Sequence, residues 1–254
     1  MIAAMIDPGR SASDLSLAWS YRKLAGYLPL GEVLEAGAVT AIVCGVPVGS
    51  FNMCIVTESP GAGDVEAALD WLAERELPYM AWVEETLAQP LRELLGSHGL
   101  VAEEWVNPGM VLPASTEPPP TPAGVAVLRV GRAEFERWRG LLVEGGLPTA
   151  FAEALFPPAL ADDPEVALFI GTLDGRPVGT SAAVRTGDVA GVYAVGTIPA
   201  ARRRGVGEAL TWATVAAARD WGCRTVTLQS SEMALPIYTR MGFRTVVSYL
   251  NFTG

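Results

Sequence analysis

Between Pro113 and Pro122, five of ten residues are proline. Proline has no backbone N–H and a fixed φ, so this stretch can build neither a helix interior nor a central strand. It is expected to be a semi-rigid linker over residues 113–123. The 254-residue chain is then expected to fold as two units, 1–112 and 124–254. With 50% hydrophobic and 18% charged residues, the chain can bury a sizeable core and is not a disordered one. Charge divides at the same seam. Residues 1–123 carry 5 basic and 16 acidic side chains, whereas residues 124–254 carry 13 and 12. Any anion the protein binds is expected in the second half.

That half alternates strand and helix signals. Val125 to Val130 reads as a strand, and Ala133 to Val143 as a helix with Phe135, Trp138 and Leu142 at helical spacing. Val166 to Leu173 and Pro177 to Val184 flank an Asp174-Gly175 turn and form a hairpin. Gly191 to Thr197 is a largely apolar strand. Gly205 to Trp221 is a helix with Val206, Leu210, Ala213 and Ala217 on one stripe and Gly222 as its stop. Thr225 to Gln229, Met233 to Met241 and Thr245 to Phe252 come next as strand, short helix and strand. The class is α/β.

Several functions are disfavoured by composition. A net charge of −10 argues against a general nucleic-acid binder. Cys44, Cys54 and Cys223 have no CxxC spacing and fit reduced thiols of a cytoplasmic protein. Asp7 and Pro8 come too early for a signal peptide's apolar core, and no run is long enough for a membrane span. The single histidine, His98, makes a His-rich metal site or a Ser-His-Asp triad improbable, and no metal is expected.

The chemistry concentrates between the strand ending at Thr197 and the helix near Gly205. Here the chain reads Pro199-Ala200-Ala201-Arg202-Arg203-Arg204-Gly205-Val206-Gly207. Glycines let the backbone turn and approach a ligand, and a helix start offers unpaired N–H groups with partial positive charge. Three arginines add full charges. A pyrophosphate suits this place, each charge-assisted hydrogen bond contributing about 1.5–3 kcal/mol. No Gly-Lys-Ser/Thr comes after it, so this is not a P-loop, and Leu210 stands where a Rossmann fingerprint needs its third glycine.

After the next strand comes Tyr238-Thr239-Arg240-Met241-Gly242-Phe243. The order Arg-x-x-Gly-x-Gly, helix, strand, Tyr-x-x-x-Gly-Phe resembles the GNAT superfamily of acetyl-CoA-dependent N-acetyltransferases over roughly residues 124–254. That resemblance implies acetyl-CoA as cosubstrate. It assigns Arg202, Arg203, Arg204, Gly205, Val206 and Gly207 to the pyrophosphate. It gives the backbone of Val195, Gly196 and Thr197 to the pantetheine arm, as an added strand. Tyr238 falls where the family places the general acid that protonates the departing thiolate. Many members hold a glutamate on the strand before the loop, but Val189 to Val195 contains no carboxylate. Tyr193, Glu232 or a water held by Ser230 or Ser231 remain as candidates for the base.

The first half matches the second at an offset of 144 residues. Gly61-Ala62-Gly63-Asp64 aligns with Gly205-Val206-Gly207-Glu208, Val65 to Arg75 with Ala209 to Arg219, and Met80 to Val83 with Thr225 to Leu228. Glu58, Ser59 and Pro60 stand in place of the arginines, and Leu94 or Leu95 in place of Tyr238. The first half therefore resembles a degenerate GNAT-like unit, and the chain two such units in tandem, each a mixed, mostly antiparallel sheet flanked by helices.

The function expected is direct transfer of an acetyl group from acetyl-CoA to an amine, on a small molecule or a peptide. No nucleic acid or membrane partner is expected, and the protein is expected as a cytoplasmic monomer or homodimer. The alternative is a CoA-binding sensor or interaction module without turnover.

Overall fold

The computed structural model describes residues 8–61 and 63–254; Asp7, and Ala62 of the internal match, lie outside the described residues. In chain order the elements begin α1 (Pro8–Gly26), β1 (Glu32–Ala36), β2 (Val39–Val43), β3 (Asn52–Val56) and α2 (Asp64–Ala73). Then come β4 (Met80–Glu84), α3 (Glu85–Ser97), β5 (Val101–Pro113), β6 (Val125–Val130), α4 (Phe135–Glu144) and α5 (Thr149–Leu155). The hairpin β7 (Val166–Leu173) and β8 (Arg176–Thr186) leads to β9 (Val189–Thr197) and α6 (Val206–Asp220). The chain closes with β10 (Thr225–Gln229), α7 (Leu235–Arg240) and β11 (Arg244–Thr253).

Two compact units divide these elements. One comprises Met1–Met110, Gln229–Pro236 and Thr245–Gly254, and the other Val111–Leu228 and Ile237–Arg244. In the first, the strands run in the order β1-β2-β3-β4-β11, with β5 beyond β11. Pairing is antiparallel except between β3 and β4. In the second the order is β10-β9-β8-β7-β6, antiparallel except between β9 and β10. Each unit thus holds an antiparallel run with one parallel pair, and a helix, α2 or α6, bridges that pair. Parallel neighbours need such a crossover, and the helices matched at offset 144 are these crossovers. The architecture is mixed α/β, as the sequence pattern implied.

The compact units differ from the expected 1–112 and 124–254 at two places of consequence, since Gln229–Pro236 and Thr245–Gly254 group with the first. The C-terminal strand joins the first unit, where Tyr249 lies opposite Glu84 and Thr253 opposite Met80. A period-2 apolar pattern identifies a strand but not its partner, because the partner is distant in sequence.

Each unit has its own core. In the first, Val65, Leu69 and Leu72 of α2 pack with Val39, Ala41, Val56 and Val83 of the sheet. In the second, Val206, Leu210 and Ala217 of α6 pack with Ala167, Phe169, Val178 and Ala183. Burying that α6 stripe holds the start of the helix at a fixed place on the sheet. Each fully buried Val or Leu contributes roughly 1.5–3 kcal/mol.

Candidate active site

Strand β9 is bent just before the glycine-rich loop. Its pairing with β8 slips between Thr180 and Ala182, and Ala194 sits at φ +50°. A slipped register with one residue in the left-handed region is a β-bulge, which bends its strand and re-aims the residues beyond it. Non-glycine residues resist this conformation by about 1 kcal/mol or more. Local bonds hold it: the Thr180 hydroxyl donates to the Ala194 carbonyl at 2.9 Å, and the Ile198 N–H to Val178 at 2.9 Å.

The other edge of β9 parts from β10. Their parallel ladder runs through Thr225–Val189, Val226–Ala190 and Thr227–Gly191 and ends there. Beyond it Val195, Gly196 and Thr197 are partly or fully accessible to solvent. Backbone groups on this edge are open to pairing with an extended ligand, by the logic of strand addition.

The loop turns this edge into a helix start. Pro199–Ala201 forms one 3₁₀ turn, Arg202 is extended, Arg203 sits at φ +60° and Gly205 at φ +81°. Gly205 is the N-cap of α6, and no side chain caps the helix. The first N–H groups of α6 are therefore free of side-chain partners and carry the positive end of the helix dipole. All three arginines are exposed. The Arg202 guanidinium donates to the Thr197 carbonyl at 3.2 Å, fastening the loop to the strand end. Arg204 stands 4.0 Å from Asp174, an exposed pair worth little in water. An added Cβ at Gly207 would meet only the Thr197 hydroxyl, at 3.7 Å. Packing within the protein leaves room for a side chain at Gly207.

Tyr238 lies on α7 with only 8% of its surface exposed. Its ring stands edge-on to Phe243 at 5.7 Å, so the Tyr-x-x-x-Gly-Phe spacing serves packing as well as chemistry. Burial pushes the phenol up to about 12, and a hydrogen bond with Thr211 opposes that rise. Thr211 is buried on α6, and its hydroxyl donates to the Gly207 carbonyl at 2.9 Å. Thr211 thus stands near both the phenol and the glycine-rich helix start. Thr211 carried no signal in sequence, since its role depends on α6 packing beside α7.

The other candidates separate. Tyr193 is half-buried on β9, just before the bulge. Ser230, Ser231 and Glu232 belong to the first unit. There Ser230 is buried and its hydroxyl donates to the Ser231 carbonyl at 2.9 Å, while Glu232 is exposed. His98 lies 3.7 Å from Asp70 at the end of α3, a structural position. Cys44, Cys54 and Cys223 are buried free thiols; burial pushes Cys44 and Cys54 up to about 12, far from a reactive thiolate. Among the described residues no group of three His, Cys, Asp or Glu could hold a metal ion, and no helix is long and apolar enough to cross a membrane.

Comparison with known proteins agrees with this geometry. Residues 133–243 match the acetyltransferase (GNAT) family. No curated protein sequence matches the chain. A GCN5-related N-acetyltransferase from Kribbella flavida shares its fold with TM-score 0.71 and 20% identity, over 94% of each chain. One from Sphaerobacter thermophilus gives TM-score 0.60 and 19% identity, over 87% of this chain and 82% of its own. A tandem GNAT protein from the clavulanic acid biosynthesis pathway gives TM-score 0.62 and 14% identity, over 97% and 94%. Residues 133–243 thus match the GNAT family model, and the fold of the whole chain is similar to that of a tandem GNAT protein.

Proposed function

We propose that this protein transfers an acetyl group from acetyl-CoA to an amine, with the working site in the second unit. The observation that carries the reading is the continuity of three features. An unpaired edge of β9 leads into an uncapped helix start flanked by Arg202, Arg203 and Arg204, and a buried phenol lies beside Thr211, which bonds to that start. Val195, Gly196 and Thr197 would pair with the pantetheine amides, and the amides of Gly205, Val206 and Gly207 would take the pyrophosphate. No metal enters this scheme, and the acceptor is a small-molecule or peptide amine in the cytoplasm.

In the reaction the neutral amine nitrogen attacks the thioester carbonyl carbon. A C–N bond forms, the C–S bond breaks, and the sulfur takes the bonding pair. The proton leaving nitrogen passes to solvent, and the sulfur finally acquires one as the CoA thiol. Tyr238 stays protonated at neutral pH. With the phenol near 12 and a thiol near 8.5, complete transfer is uphill by roughly 5 kcal/mol. Its first contribution is therefore a hydrogen bond to the developing thiolate charge, with transfer completed as solvent resupplies the phenol.

Thiol release from acetyl-CoA in the presence of a panel of primary amines tests the reading. Amine-dependent release supports it. Tight acetyl-CoA binding without release would support the second reading, a CoA-binding sensor, which the lack of a carboxylate on β9 favours.

A further inference from the structure

The proline-rich segment does more than connect. At one end the Arg219 guanidinium, on the last turn of α6, donates to the Ala114 carbonyl at 3.2 Å and to the Thr116 carbonyl at 3.0 Å. The same side chain lies 3.6 Å from Glu117, and the Ala114 N–H donates to the Arg224 carbonyl at 3.0 Å. At the other end Pro122 presses on Gly205, where an added Cβ would come within 2.7 Å of the proline Cγ. Between these ties Pro118, Pro119, Pro120 and Thr121 line, together with Ala209, Trp212 and Ala213 of α6, an open pocket of about 500 Å³.

The lengths of the two paths explain the composition. From Gly205 to Arg219 the helix advances about 21 Å at roughly 1.5 Å per residue. From Thr116 to Pro122 a polyproline II path advances about 19 Å at roughly 3.1 Å per residue. An extended, stiff segment just spans the helix, and the long Arg219 side chain makes up the difference. A flexible segment of equal length would contract to a much shorter mean span and would press on nothing.

We propose that this segment is a strap along α6 and that Pro122 is a positioning residue for the cofactor loop. Tied at the far end by Arg219, the strap holds Pro122 against Gly205. Gly205 is thereby kept in its left-handed conformation with the amides of Val206 and Gly207 set for a pyrophosphate. This inference rests on the acetyl-CoA reading of the loop.

The test compares wild type with Pro122→Ala and with a slack strap, Pro118, Pro119 and Pro120 all replaced by glycine. Calorimetry measures acetyl-CoA and acetyl-pantetheine, which lacks the pyrophosphate. Both variants are expected to bind acetyl-CoA five- to tenfold more weakly and acetyl-pantetheine within twofold of wild type. With an acceptor in hand, KM for acetyl-CoA rises while kcat holds within twofold. Equal weakening for both ligands would mean general destabilisation and overturn the strap. Unchanged acetyl-CoA affinity in both variants, with Gly207→Val still weakening binding at least tenfold, would overturn the strap alone. A wild type that binds no acetyl-CoA would overturn the strap and the cofactor reading together.

Discussion

Gly207 offers the cleanest separation of binding from folding. Gly205 does not, because its φ of +81° and the nearby Pro122 penalise any side chain whether or not a ligand binds. At Gly207 the backbone is helical and an added Cβ would make an ordinary contact of 3.7 Å with the Thr197 hydroxyl. Replacing a helical glycine with alanine gains up to about 1 kcal/mol, less in a first turn. For a chain of this size that corresponds to a melting temperature unchanged or raised by roughly 2–4 °C. The same Cβ would stand where a pyrophosphate oxygen must approach the helix-start amides. Acetyl-CoA affinity should fall at least tenfold in Gly207→Val, about 1.4 kcal/mol. Scanning calorimetry and titration calorimetry on the same preparations read the two effects. Stability held or gained with affinity lost is the expected signature. A stable Gly207→Val that binds acetyl-CoA within twofold of wild type would refute the placement of the pyrophosphate.

Three further outcomes are expected. Tyr238→Phe keeps the contact with Phe243 and removes the hydroxyl, so acetyl-CoA affinity should hold within a few-fold while kcat and kcat/KM fall together by on the order of 10²-fold, measured by thiol release; full activity in a stable variant would leave the tyrosine a packing residue. Titration calorimetry should give one acetyl-CoA per chain, and Glu58→Arg should not add a second, because Pro60 remains and no tyrosine stands at Leu94 or Leu95. Asp14 in the first unit is raised to about 6, by burial first, with Glu84 and Glu58 adding and the Tyr249 hydrogen bond and Arg10 opposing. A raised folded-state value means stability fully present below about pH 4 and lost as pH rises through 6, up to roughly 3 kcal/mol for this group; denaturant melts from pH 4 to 7.5 should show that slope in wild type and a shallower one in Asp14→Asn.

How much of this was legible depended on how local each signal is. The strands Val125–Val130, Val166–Leu173 and Thr225–Gln229 have the bounds their patterns implied. Helix α6 differs by a residue at each end, since its apolar stripe and its glycine stops lie within the segment itself. Helix α1 left no comparable trace. Its buried face includes Ser13, Ser16 and Ser20, so no apolar period marks it. Strand β3 is buried at every position and shows no alternation. The Arg-x-x-Gly-x-Gly loop was readable because loop and helix start are contiguous. The bulge at Ala194 was not, because an alanine forced to positive φ by its neighbours looks like any other alanine. The pairing of β11 with β4 and the link from Tyr238 to Thr211 were hidden for a common reason: both join segments whose proximity only the fold creates.

The two crossover helices both start at a left-handed glycine with no side-chain cap, and differ in the charge that lies beside the start. In α2 the carboxylate of Asp64 folds back to accept the Gly61 N–H at 2.6 Å, and an added Cβ at Gly37 would come within 2.2 Å of it. A negative group thus sits on the loop just before this helix start, with Glu58 and Glu66 close by in sequence. Glu208 is the matching residue of α6 and one methylene longer. It reaches outward to Arg240 at 3.6 Å, and no side chain caps the helix. The dipole of each helix favours an anion equally. Acidic residues lie beside the start of α2, whereas Arg202, Arg203 and Arg204 immediately precede that of α6. The charge division on either side of the proline segment repeats this local difference on the scale of the chain, and it favours the second unit for the proposed anion site on electrostatic grounds independent of any motif.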